Sequence, residues 1–162
     1  MEIIDGLKVQ EVICVRLDYG DDFQKCIEQV ARDKDVRSGV VVSGIGTFDR
    51  ANIHHITHTE FPPEDKNVEM EGPIELCSVQ GIIADYKPHL HCTMAVRGRE
   101  PFDGHLEPGC NILYLGEVVV LKLSGKALAR DKHPQRGTAM LVGRKAGGQA
   151  SRRATRAKKG KQ

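Results

Sequence analysis

The sequence lacks the features of a secreted or membrane protein. Its five cysteines include no C-x-x-C pair, and their odd number signals neither a disulfide framework nor a zinc site built from thiolates. Acidic residues, Glu2 and Asp5, stand where a signal peptide needs a basic start and a long apolar run. No apolar stretch approaches the length of a membrane span. We therefore expect a cytoplasmic protein whose cysteines are small residues of the core.

Acidic residues are absent from the last part of the chain. Residues 144–162 hold eight basic residues, and residues 1–143 hold the other 16 against all 22 acidic ones, a net charge of −6. The last segment is rich in Gly and Ala and has no aromatic residue, which predicts a disordered basic tail behind one folded domain of residues 1–143. The basic residues of the tail are Arg144, Lys145, Arg152, Arg153, Arg156, Lys158, Lys159 and Lys161.

The tail admits two interpretations. Clustered positive charge without acidic residues is typical of an arm that contacts the phosphates of DNA or RNA. The same composition is typical of a solubilising segment that has no specific partner. Both interpretations fit the sequence.

The apolar pattern of the domain predicts more strands than helices. Residues 22–34 carry apolar side chains at helical spacings from Phe23 to Ala31, with Asp21 or Asp22 available as N-cap. The pattern indicates an α/β (α+β) domain, a mostly antiparallel sheet with this one main helix packed on it. Strands are predicted at residues 9–17, 40–43, 48–59, 74–84, 89–96, 117–123 and 139–142, the last of which closes the sheet.

Three histidines are spaced as ligands of one metal ion. His89 and His91 point to the same side of their predicted strand, about 6.6 Å apart along it. If the next hairpin turns symmetrically about Gly98, His105 lies opposite His91, with Cβ atoms roughly 5 Å apart. Three neutral imidazoles on one patch of sheet match a zinc site whose fourth position is open to water or substrate. Nitrogen ligands favour zinc, with iron, nickel or manganese as alternatives; the other interpretation is three ordinary histidines.

A second group of histidines, His54, His55 and His58, does not have this spacing. The surrounding residues are rich in β-branched side chains, which predicts a strand. On a strand His54 and His58 share a face but lie roughly 13 Å apart, beyond the reach of one ion. We expect these three to be surface or interface histidines.

Five blocks of the sequence together resemble the PPC ("plants and prokaryotes conserved") domain family. The blocks are SGIGTFDRANIHH (43–55), IELCSVQGIIA (74–84), PHLHCTMAV (88–96), GHLEPGC (104–110) and EVVVLKL (117–123). The resemblance implies a compact α/β domain that is related in fold to acetolactate decarboxylase and assembles as a homotrimer. It also implies that His89, His91 and His105 occupy the positions of the metal-binding histidines of prokaryotic members.

Two features of the sequence depart from what the family label suggests. Asp103 precedes Gly104 and His105, where prokaryotic relatives usually show Gly-Gly-His, and its carboxylate could support a ligand or repel an anionic substrate. The family is often labelled DNA-binding because plant members join the domain to AT-hook segments. This chain has no Arg-Gly-Arg-Pro hook core, and phosphates would repel its acidic body.

Two hypotheses of function follow, from different classes. In the first, a homotrimer brings three basic tails together and associates with nucleic acid. In the second, the chain is a zinc-dependent hydrolase or lyase acting on a small carbonyl substrate, in which the ion lowers the pKa of a bound water to about 7 or polarises the carbonyl. Glu75 and Glu117 are then the candidate proton-transfer carboxylates, or else pairing residues at the trimer interface. A third possibility is a metal that only fixes the trimer.

Overall fold

Eight β-strands and one α-helix occupy residues 1–145, the part of the chain that the computed structural model describes. Within these residues no helix is long and apolar enough to cross a membrane. The elements in chain order are β1 (Lys8–Asp18), α1 (Phe23–Asp33), β2 (Ser38–Ile56), β3 (Asp65–Ala84), β4 (Lys87–Ala95), β5 (Phe102–Leu106), β6 (Asn111–Ser124), β7 (Ala127–Lys132) and β8 (Ala139–Arg144).

Six of the strands form one antiparallel sheet in the order β1-β6-β2-β3-β4-β5. The long strand β2 pairs with β6 through its first part and with β5 through Ile53 and His54. Because β5 pairs with both β4 and β2, the sheet closes on itself at this end. The prediction of a mostly antiparallel sheet with one main helix is therefore confirmed for residues 1–145.

The helix α1 forms where its apolar spacing predicts it. Asp22 caps the helix, since its Oδ1 accepts a hydrogen bond of 3.2 Å from the backbone N–H of Lys25. Phe23 and Ile27 are fully buried against the sheet, and the ring of Phe23 meets that of Phe48 edge-on with centroids 5.9 Å apart. Burying a side chain of this size stabilises a fold by about 1.5–3 kcal/mol, so these contacts fix the helix to one face of the sheet.

The two separate strands predicted at residues 40–43 and 48–59 form one continuous strand, β2. The glycines between them remain extended because neighbouring strands lie close to them. A Cβ at Gly46 would stand 2.6 Å from the carbonyl oxygen of Leu115 in β6, so only glycine permits this approach. The strand ends at Ile56, and residues 57–59 lie outside it.

The prediction that residues 139–142 close the main sheet is wrong. Residues Ala139–Arg144 form β8, which pairs with β7 in a separate two-stranded sheet. The N–H of Leu128 in β7 donates a hydrogen bond of 2.8 Å to Ser38 Oγ, which ties this hairpin to the start of β2. Leu128 and Ala129 of this hairpin are therefore buried by packing on the sheet and not by extending it.

Candidate metal centre

Four histidines from three neighbouring strands lie in one cluster. The predicted register of the hairpin is confirmed, since His91 in β4 pairs with His105 in β5. His105 also pairs with His54 in β2, across the closure of the sheet. Directly paired residues point to the same face of a sheet, so these three rings form a row, and His89 joins it from two residues before His91.

The rings of the three histidines predicted from the sequence are close together. Ring centroids are 5.4 Å apart for His89 and His91, 4.6 Å for His89 and His105, and 5.3 Å for His91 and His105. The ring plane of His105 makes an angle of 86° with that of His89 and 81° with that of His91. The ring of His105 is therefore edge-to-face with the other two. For one ion to be held by three imidazole nitrogens the rings would have to rotate, because these nitrogens do not all lie within 4.8 Å of one another.

His54 and Glu107 extend the cluster on its other side. The ring of His54 stacks on that of His105 with centroids 4.3 Å apart, and Glu107 Oε1 lies 2.8 Å from His54 Nδ1 and 3.2 Å from His105 Nδ1. Among residues 1–145, only His54, His105 and Glu107 form a group of three such side chains whose ligand atoms all lie within 4.8 Å of one another. The cluster therefore contains a second, tighter set of donors that shares His105 with the first.

The expectation that His54 is a surface residue is wrong, because its side chain is only 18% exposed and belongs to this cluster. Its expected place at an interface stays a prediction. Its neighbour His55 lies at the edge of the same cavity, where Nε2 contacts the carbonyl oxygen of Asp103 at 2.5 Å. His58 lies in the loop after β2, with its Nε2 3.8 Å from a carboxylate oxygen of Glu64. Only His54 of this group contacts the predicted ligands.

One nitrogen of the cluster has no hydrogen-bond partner. His105 Nδ1 is buried, and its 3.2 Å approach to Glu107 lacks the alignment of a hydrogen bond. A buried polar atom left in this way costs about 1–3 kcal/mol, so the position favours a bound cation or a small rotation of the ring onto Glu107. The donors present therefore fit a transition-metal ion.

The electrostatic surroundings keep two of the predicted ligands neutral. Burial lowers the pKa of His89 from its ordinary 6.5 to about 4, and the positive charge of Arg130 is the second cause. Burial also lowers the pKa of His105, with the neighbouring His54 as the next cause, whereas the Glu107 carboxylate acts in the opposite direction. At pH 7 both rings are uncharged, which is the form in which imidazole binds a metal.

The position of His89 depends on a glycine in the neighbouring strand. A Cβ on Gly81 of β3 would stand 2.0 Å from the carbonyl oxygen of His89, closer than any real contact. Only glycine therefore lets β3 and β4 approach at this point, and this approach holds His89 beside His105.

The cluster faces a cavity of about 590 Å³. All four histidines line it, and Asp65 and Asp103 add two carboxylates to its wall. Asp103 thus lies near the predicted ligands, as its place in the sequence suggested. The cavity is large enough for a small molecule to reach the histidines.

The two predicted proton-transfer carboxylates lie elsewhere. Glu75 and Glu117 are exposed, and neither lines this cavity. Each lies within its strand and not at the beginning of one, with Glu75 paired to Thr47 and Glu117 to Ile45. Both side chains lie on the face of the sheet that α1 does not cover, as His89 and His91 do, but outside the cavity.

Two of the eight predicted nucleic-acid contacts fall in the described part of the chain. Arg144 ends β8 and forms an ion pair with Asp131, so it belongs to the folded body, one residue beyond the predicted domain boundary. Lys145 follows it and is exposed. The other six, Arg152, Arg153, Arg156, Lys158, Lys159 and Lys161, lie outside the described residues.

Comparison with known proteins identifies the family. Residues 5–147 match the Plants and Prokaryotes Conserved (PCC) domain, the domain also abbreviated PPC. This chain belongs to the PPC domain family. The match covers the whole described fold apart from its first four residues, and it confirms the resemblance of the five sequence blocks.

Solved structures with the same fold include two archaeal proteins. A metal-containing protein from Archaeoglobus fulgidus has 29% sequence identity and a TM-score of 0.76, over 88% of this chain and 99% of that chain. A plant- and prokaryote-conserved (PPC) protein from Pyrococcus horikoshii has 21% identity and a TM-score of 0.74, over 86% of this chain and 97% of that chain. The PPC fold is thus shared across 86–88% of the chain.

Two curated proteins from Synechococcus strains, both named bifunctional protein GlmU, are 26% identical over 123 residues, or 76% of this chain. The chain spans only about a fifth of the length of these curated relatives, 18% and 19%. The likeness is thus confined to a part of each relative that has the size of this domain.

The contact of Glu107 with two histidines leads to a prediction for the Glu107→Gln variant. If Glu107 orients His105 from beside an ion, its loss should weaken Zn²⁺ affinity about 10- to 100-fold, because a neutral amide holds the ring less firmly. If Glu107 is itself a ligand, binding should be lost. Competition with a chelator of known affinity measures the change, Glu100→Gln in the β4–β5 loop is the control, and unchanged affinity in Glu107→Gln would contradict both roles.

Proposed function

We propose that this chain binds one divalent transition-metal ion, zinc first, through His89, His91 and His105, as a subunit of a homotrimer. The observation that carries the proposal is the convergence of three imidazole rings from two paired strands, with centroids 4.6–5.4 Å apart, on the wall of one cavity. Nitrogen donors of this kind suit zinc, and also iron, nickel or manganese. The similar Archaeoglobus fulgidus protein, named as metal-containing, supports the same interpretation.

The proposal assigns different roles to the two donor sets. His89, His91 and His105 hold the ion, whereas Glu107 lies beside Nδ1 of His105 and His54 stacks on its ring. The three imidazoles are preferred because all of them line the cavity, which leaves a position for water or a ligand. An ion between His54, His105 and Glu107 is the competing arrangement, and it does not need His91.

Removal of one imidazole separates these arrangements. We expect the natural chain, purified and loaded with Zn²⁺, to retain about one ion per chain after gel filtration, as a site with three protein ligands should. His91→Ala should lose that ion, while His58→Ala, which removes a partly exposed imidazole of the loop, should keep it. Full retention of zinc by His91→Ala would favour the competing set and contradict the proposed ligands.

The homotrimer is supported by the face of the sheet that α1 does not cover. Val12, Ile45 and Leu115 are 59%, 49% and 46% exposed on this face. Glu117 lies beside Ile45 and opposite Arg16, so charged residues that could pair across an interface adjoin the apolar ones. A partly apolar face with charged residues is typical of a subunit interface, which gives Glu117 a place in assembly and not in catalysis.

A charge placed on this face tests the assembly. We expect the natural chain to sediment at three times the chain mass and Ile45→Asp to sediment as a smaller species, because an unpaired carboxylate would be buried in the interface. Phe61→Asp, which changes an exposed apolar residue of a loop, is the matched control. A natural chain that sediments as a monomer would contradict the trimer.

Association with nucleic acid, mainly through the tail, is part of the same proposal. The body of residues 1–143 carries a net charge of −6, so its phosphate contacts would be unfavourable, whereas residues 146–162 hold six basic residues and no acidic ones. A trimer would bring three such tails together, and their combined contacts would compensate for weak individual ones.

Removal of the positive charge of the tail tests whether the tail binds DNA. We expect the full chain to bind duplex DNA at low salt, with an affinity that falls steeply as salt rises, because each phosphate contact releases counterions. A chain of equal length with the six basic residues after Lys145 changed to Gln should not bind. Equal binding by both chains, or none by either, would contradict this role.

The cavity favours a second candidate, a zinc-dependent hydrolase or lyase of a small carbonyl substrate. A bound ion would supply a water of lowered pKa or a polarised carbonyl. Since Glu75 and Glu117 lie outside the cavity, the proton-transfer role falls instead to His54, which lines it and whose Nδ1 lies 2.8 Å from Glu107 Oε1. Small esters and keto acids turned over by the natural chain, and not by His91→Ala, would support this candidate.

A further inference from the structure

A partly buried arginine beside the histidine cluster has no counter-charge. Arg130 in β7 is half-buried, and its Nε is buried without a hydrogen-bond partner. Within residues 1–145 no carboxylate lies within ion-pair distance of its guanidinium, whereas Arg144, in the paired strand β8, contacts Asp131. Burying a guanidinium without a partner is costly, so such a group is usually matched by a bound anion or a carboxylate.

Arg130 faces a second cavity, of about 560 Å³, on the other side of His89 and His91. Gln80 and the two histidines line both cavities, so the two spaces share one wall. The lining of the second cavity includes no Asp or Glu, and apart from these polar groups it is formed by Gly81 and apolar side chains: Val40, Val41, Val42 and Ile82.

The charges on the two sides of the histidines are opposite. The first cavity carries the carboxylates of Asp65 and Asp103, whereas the second carries only the guanidinium of Arg130. An anion that approaches His89 and His91 is therefore repelled from one side and attracted on the other. This difference in charge favours a bound anion on the Arg130 side of the histidines and disfavours it on the side of Asp65 and Asp103.

We propose that Arg130 anchors a subsite for a small carboxylate with a short apolar chain, in the cavity that it shares with His89 and His91. The planar guanidinium fork matches the two oxygens of a carboxylate, and one arginine balances its single charge. The side chains of Val40, Val42 and Ile82 provide an apolar wall for the rest of the ligand. The subsite depends on the cavity and its arginine, so it goes beyond the metal site and does not require an ion.

Pentanoate is a suitable probe, with the uncharged pentanamide as its matched control. We expect the natural chain to bind pentanoate saturably, both with zinc and after removal of metal by a chelator, with the Nε–H signal of Arg130 shifting in the NMR spectrum. Pentanamide, which cannot form the charged contact, should bind about 10- to 100-fold more weakly. Persistence of binding without zinc separates this proposal from that of the metal site.

Arg130→Gln should weaken pentanoate binding by a similar factor, and Arg37→Gln, which removes an arginine already paired with Asp85, should not. Val42→Asp provides a second test that leaves Arg130 in place, because a carboxylate on the cavity wall competes with the ligand; Val42→Asn should bind nearly as the natural chain. Equal binding of pentanoate by Arg130→Gln, or no saturable binding by the natural chain, would overturn the proposal. Dissociation of the assembly by Arg130→Gln without any carboxylate would also overturn it, since the partner of Arg130 would then be a second copy of the chain.

Discussion

The closure of the sheet by β5 is the constraint on which the candidate site depends. A strand of five residues pairs on one side with β4 and on the other with β2, and these two pairings align His91, His105 and His54 in one row. The pairing is possible because β2 is long enough to pair with β6 through its first part and with β5 through its second part. Without this closure His54 would lie at an open edge, and His105 would have no support on its far side.

The candidate site lies on the same face of the sheet as the surface proposed for assembly, because direct pairings link His89 to Val12 through Ile82, Val40 and Leu121. The imidazoles lie between two cavities, one with two carboxylates and the other with a single guanidinium. Burial keeps His89 and His105 uncharged, so the cluster offers lone pairs at neutral pH. The apolar side chains proposed for assembly, such as Ile45, lie on the open face, and the basic residues lie at the end of the chain. Nucleic-acid binding through the tail can therefore be tested apart from the ion and the oligomer.

Local patterns in the sequence predicted the parts of the fold that local physics determines. The spacing of Phe23 and Ile27 and the capping by Asp22 are sufficient for α1. A hairpin about Gly98 is sufficient to set His91 opposite His105, because turn and register are properties of one short segment. The family resemblance added the expected ligands, and the match over residues 5–147 confirms the family.

Long-range contacts explain what the sequence pattern did not reveal. His54 joins the cluster through pairing with a strand about 50 residues away, and no periodicity within residues 48–59 carries that information. The strand period could have indicated that Glu107 belongs to the cluster, since residues two apart on a strand, such as 105 and 107, point to the same side. Arg130 depends on how the β7–β8 hairpin packs on the sheet, which its own sequence does not specify.

X-ray absorption at the zinc edge of the loaded protein tests the central claim most directly, because it counts the atoms around the ion by type and distance. We expect a four-coordinate ion with three imidazole nitrogens at about 2.0–2.1 Å and one oxygen of water. In His91→Ala loaded with the same metal, the imidazole scattering should fall by a third or the ion should be lost. Two imidazoles and a carboxylate around the ion, unchanged in His91→Ala, would contradict the assignment of His89, His91 and His105.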